Sequence, residues 1–180
     1  SEAGVPRWVE GPALGAWGGK LYLVGGGSQG IPYQASAQVD VYDIATHTWT
    51  PSGGTAMPQA SDYAGVVQIG QYLYVVGGMS YIYEEVYLVQ RYDMATDSWL
   101  TADYESSFVF PALTATGQYL YAMGGDPPGD ELWTSSDLVE RLALDEWLSG
   151  DWEDIHVPLP KATIGASSYC TDALAGGEIW

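Results

Sequence analysis

Leu21-Tyr22-Leu23-Val24-Gly25-Gly26 returns as Leu73-Tyr74-Val75-Val76-Gly77-Gly78 and again as Leu120-Tyr121-Ala122-Met123-Gly124-Gly125. The copies stand 52 and then 47 residues apart, and each is preceded at one fixed offset by Gly18, Gly70 or Gly117. A short apolar run bounded by glycines reads as a buried strand entered through a tight hairpin turn. Three copies in register make the chain a tandem array rather than one irregular domain.

The register continues downstream. Val39-Asp40-Val41-Tyr42-Asp43 leads to Trp49, and Val89-Gln90-Arg91-Tyr92-Asp93 leads to Trp99. The third unit keeps Val139-Glu140-Arg141 but has Leu142-Ala143 in place of Tyr-Asp. Its tryptophan is either Trp147 or Trp152, with Leu148 to Asp151 as a short insertion between them. Trp8 falls at the place of Trp49 and Trp99, and Gly176-Gly177-Glu178-Ile179-Trp180 matches Gly18-Gly19-Lys20-Leu21-Tyr22. The array is therefore expected to be cut inside a unit at both ends.

A self-similar period of about 50 residues, with four short strands per unit, resembles the kelch repeat. The resemblance implies an all-β fold: a kelch-type β-propeller of four-stranded antiparallel blades, present in this chain as an incomplete ring. On that reading residues 1–10 are the last strand of a preceding blade, and 11–58 and 59–107 are the first two full blades. Residues 108–157 are a third blade with the loop insertion, and 158–180 begin a fourth. The remaining blades come from the same chain or from another copy.

In such a blade the first strand lies nearest the axis, where neighbours crowd, and Ala64-Gly65-Val66-Val67 and Pro111-Ala112-Leu113-Thr114 are suitably slender. Tyr42, Tyr92, Trp49 and Trp99 recur at equivalent places and are expected to fill the space between sheets, each with a large apolar body and one polar atom. Arg91 and Arg141 are equivalent to each other and read as ion-pair partners between blades.

Charge narrows the partners. With 23 acidic against five basic residues the net charge is −18, which repels nucleic acid. Such a surface suits extracellular solubility, a divalent cation or a basic protein. Cys170 has no second cysteine to pair with in these residues, and no apolar run approaches the ~18 residues of a membrane span. An extracellular or cell-surface location is the expectation.

What does not recur is free to recognise something, and binding groups concentrate on loops carried by rigid scaffolds. Four segments break the repeat: Ser28 to Ser36, Met79 to Glu85, Asp126 to Trp133, and Trp147 to Glu153. Tyr81, Tyr83, Trp133 and Trp147 are the candidate partner-contact residues. Asp126, Asp130 and Glu131 are candidate calcium ligands, although their spacing lacks the alternation of a dedicated calcium loop. No cofactor is otherwise expected.

No catalytic set stands out. His47 and His156 are distant from each other and form no zinc or copper constellation. Gly25-Gly26-Gly27-Ser28-Gln29-Gly30 follows no strand-to-helix pattern and is no phosphate cradle, and no Gly-x-Ser-x-Gly elbow is present. The preferred reading is a noncatalytic binding or assembly module whose nonrepeating loops meet a protein or a glycan. The alternative is part of a kelch-like propeller enzyme, an oxidase, epimerase or hydrolase of carbohydrate, with its site mostly in other blades.

Overall fold

The computed structural model describes residues 4–28, 33–81, 84–105, 109–126, 135–160 and 162. These residues contain strands and no helix. Strands β1 (Ala13–Trp17), β2 (Lys20–Val24), β3 (Val39–Asp43) and β4 (Thr48–Gly54) form the first sheet in chain order. The second is built from β5 (Gly65–Ile69), β6 (Tyr72–Val76), β9 (Leu88–Asp93) and β10 (Ser98–Glu105), with a small hairpin, β7 (Met79–Tyr81) and β8 (Glu84–Glu85), between its middle strands. The third comprises β11 (Ala112–Ala115), β12 (Tyr119–Met123), β13 (Val139–Ala143) and β14 (Glu153–Asp154). Every pairing is antiparallel, so each sheet is a four-stranded meander, as the repeat predicts.

The continuous apolar run in β6 is explained by burial on both faces. Leu73 and Val75 pack with Val24, Val39, Val41 and Met57 of the first unit, while Tyr74 and Val76 pack with Leu113, Leu120 and Leu142 of the third. Period-two alternation persists, but both sets of side chains are inside. Each such side chain contributes roughly 1.5–3 kcal/mol on leaving water. The first sheet has a more open outer face: Leu14 and Leu21 are 49% and 39% exposed, whereas their repeat equivalents Val66 and Leu73 are packed against that sheet.

The slender inner strands come together as expected. β5 touches both β1 and β11, and a Cβ added to Gly65 would lie 2.6 Å from the Pro111 carbonyl oxygen. The paired glycines after each second strand all adopt left-handed backbone, with φ of 64° and 82° at Gly25 and Gly26, 72° and 100° at Gly77 and Gly78, and 64° and 93° at Gly124 and Gly125. This is the bend that only glycine makes without strain.

The aromatic pairs divide by environment. Tyr92 is fully buried, edge-on to Tyr22 with ring centres 5.7 Å apart and stacked on Trp99 at 4.8 Å. Tyr42 and Trp49 form the same pair at 5.2 Å in the first sheet, but both are only half-buried. Register settles the third unit's tryptophan. Arg141 pairs with Glu153 as Arg91 pairs with Leu100, so Trp152 stands in the place of Trp99.

The two arginines correct the sequence expectation. Arg91 makes its interblade contact through rings rather than an acid, with its guanidinium carbon 4.3 Å from the Tyr72 ring centre and 4.4 Å from that of Trp147. Arg141 does form an ion pair, to Glu153 at 2.8 Å, but within its own sheet.

Candidate functional site

Two of the nonrepeating segments meet at one end of the sheets. Gln34 bridges Tyr81, and the Ala35 amide donates to the Ser80 carbonyl at 2.9 Å. The short connection between the first two sheets joins them there. Asp62 and Met79 exchange main-chain bonds of 2.9 and 3.0 Å, Glu10 and Gly27 exchange bonds of 3.0 and 2.8 Å, and the Tyr63 amide donates to the Gly11 carbonyl at 2.9 Å. Connections from β2 to β3 and from β4 to the next sheet thus form one continuous rim.

Among the described residues, Tyr81 and Tyr63 are its exposed aromatic groups, at 40% and 46%. The Tyr63 hydroxyl donates to Glu10 Oε2 at 3.3 Å and its backbone is held at φ 49°. Burial first, and then the Glu10 charge, pushes its phenol above the ordinary range. Glu84 accepts a 2.8 Å bond from the Ser80 hydroxyl, and Glu85 accepts from the Tyr87 hydroxyl. The rim is therefore acidic as well as aromatic.

Beneath it lies Asp62, fully buried. The Tyr33 hydroxyl donates to its Oδ2, while Oδ1 has no hydrogen-bond partner among the described residues. Loss of water pushes the carboxyl up to about 6, and the Glu10 charge adds to the rise; the nearby amides of Asp62 and Met79 oppose it. Those amides already serve the main-chain bridge, so they act on the carboxylate as dipoles rather than as bonded donors.

The other candidates from the sequence fall elsewhere. Trp147 is buried, edge-on to Tyr74 with ring centres 5.5 Å apart and beneath Arg91. It is a wedge between the second and third sheets rather than an exposed contact residue, because the insertion folds back inward. Asp126 is fully buried and its carbonyl accepts from the Val109 amide at 3.1 Å, a poor position for a solvent-facing calcium ligand. Tyr83, Asp130, Glu131 and Trp133 lie outside the described residues. Among the described residues no three His, Cys, Asp or Glu side chains gather as a metal site, and no helix is long and apolar enough to cross a membrane.

Tyr33 lies within the nonrecurring Ser28 to Ser36 segment, whereas Asp62 and Tyr63 escape a reading confined to long loops. The signal was there in short ones: Asp62 stands where the other units have Glu10 and Val109, and Tyr63 where they have Gly11 and Phe110.

Comparison with known proteins agrees with this architecture. The kelch motif matches residues 11–53 and 62–102. The Rab9 effector protein with kelch motifs of Xenopus laevis is 40% identical over 62 residues, which are 34% of this chain and 17% of that protein. Kelch-like protein 13 of Mus musculus is 33% identical over 104 residues, 55% of this chain and 16% of the relative. The Rab9 effector protein with kelch motifs of Danio rerio is 34% identical over 64 residues, 35% of this chain and 18% of the relative. The matched region thus spans only a small part of each curated relative. Two recognised motifs and a third sheet of the same topology lead to one assignment: the chain belongs to the kelch-repeat β-propeller family.

Proposed function

We propose that this chain is a noncatalytic protein-binding module that meets its partner through the rim formed by residues 10–11, 33–35, 62–63, 79–81 and 84–85. The observation that carries the reading is the juxtaposition of exposed Tyr63 and Tyr81 with the carboxylates of Glu10 and Glu84 on connections that do not recur between units. Tyrosine supplies large contact area at small conformational cost, and it is enriched at the centres of interfaces. Flanking carboxylates and a chain charge of −18 favour a partner segment rich in Lys or Arg. Similarity to a Rab9 effector protein with kelch motifs supports the choice of protein over glycan. An extracellular or cell-surface location belongs to the same proposal, as the setting in which so acidic a surface stays soluble.

A photo-crosslinking residue at position 81 of the intact protein, followed by affinity measurement with the purified captured protein, tests the reading. Binding that falls at least tenfold in Tyr63→Ala/Tyr81→Ala, weakens with salt and is unchanged in Tyr42→Ala supports it. Equal binding by all three proteins, or turnover of a sugar by the intact protein with no protein captured, overturns it.

A further inference from the structure

We propose that Asp62 is a pH-sensitive latch: in its protonated form it ties residues 33–35, 62–63 and 79–81 into one rigid rim, and in its ionised form it lets them part. Asp62 lies between the 33–35 and 79–81 connections, joined to one through its main-chain bridge to Met79 and to the other through the Tyr33 hydroxyl on its side chain. Residues 34 and 35 in turn pair with Tyr81 and Ser80, so each of the three segments is braced by the other two.

The carboxyl is sealed from water and the seal is tight. Gly27 packs so close that a Cβ there would lie 2.6 Å from Asp62 Oδ2. An ionised carboxylate in this place has one side-chain donor, Tyr33, and an oxygen with no partner among the described residues. A protonated one needs less: it accepts from Tyr33 and carries no charge to solvate. The groups that face it do not relieve the charge. Glu10, from the segment before β1, is a like charge, and Tyr63 and Tyr33 are neutral phenols.

With the folded carboxyl raised to about 6, the folded rim holds a proton that the opened rim releases near pH 4. The rim is tightest below about pH 4, loosens as pH rises between about 4 and 6, and is constant above that. Over the window the opening equilibrium shifts by up to about a hundredfold.

Carboxyl carbon NMR on the intact protein, with amide exchange at the same pH values, tests this. The expected result is an Asp62 midpoint near 6 and protection of the Ala35, Asp62 and Met79 amides that falls toward neutral pH, relative to Val75. Asp62→Asn is expected to abolish the pH dependence. Should that variant fail to fold, Tyr33→Phe retains the carboxyl, removes the donor that favours its charge and is expected to move the midpoint higher. An Asp62 midpoint near 4, pH-independent protection in the natural protein, or a Tyr33→Phe midpoint at or below the natural one overturns the latch.

Discussion

Trp99 donates its indole Nε1 proton to the main-chain carbonyl of Thr55 at 2.8 Å. The Thr55 amide donates to Asp97 Oδ1 at 2.6 Å, so the outer edge of the second sheet grips the chain as it leaves the first by both main-chain polar groups of one residue. Trp99→Phe keeps the stack on Tyr92 and loses the indole bond. A loss of about 0.5–1.5 kcal/mol is expected in denaturant unfolding. No loss would mean that the stack alone fixes the edge.

Asp97 also sets an acid limit. Burial pushes its carboxyl up, but bonds from the Thr55 amide and the Tyr92 hydroxyl, the latter at 2.5 Å, outweigh that and hold it below the ordinary carboxylate range. A depressed carboxyl stabilises the fold above its unfolded value, about 4, and that contribution disappears as pH falls through the folded value. Asp97→Asn is therefore expected to reduce stability at neutral pH and to flatten its decline below pH 4, measured by thermal unfolding across pH.

Arg7 and Asp40 form an ion pair of 2.6 Å at the place where the next unit has Gln59 and Gln90, whose main-chain and side-chain amides exchange bonds of 2.8 and 3.1 Å. Asp40 is fully buried and also accepts from the Ser52 amide at 2.9 Å. Arg7→Gln alone is expected to cost about 2–4 kcal/mol, because it leaves a buried charge short of its cation. Arg7→Gln with Asp40→Gln copies the neighbouring unit and should recover most of that in a double-mutant cycle. Strictly additive losses would deny the equivalence.

Trp147 and Tyr81 separate packing from recognition. Trp147→Ala is expected to destabilise by about 3–5 kcal/mol, since it empties a site between two sheets. Tyr81→Ala removes a half-exposed ring and should stay within about 0.5 kcal/mol. Thermal midpoints of the two variants check both.

Much of this architecture was legible before any coordinate. The Gly-Gly runs, the hairpin glycines and the paired Tyr and Trp are repeated, and repetition turns weak local preferences into a register. The positive φ at His47 and Asp97 shows the limit of such reading: one strained turn position is filled by two chemically different residues, so identity alone did not betray the geometry. Trp147 was misjudged because an insertion breaks the register and hides which way its side chain turns. The contact between Tyr33 and Asp62 is hidden from the sequence for another reason, since it joins two connections and depends on how adjacent sheets are offset, which spacing within one unit does not encode.

The unlike joints at Arg7–Asp40 and Gln59–Gln90 give neighbouring seams different tolerances. Strong acid that discharges Asp40 leaves the amide-to-amide seam untouched, because glutamine has no proton to gain in that range. Damage in acid is thus directed to the entry of the first sheet, while the seam behind the second keeps its grip.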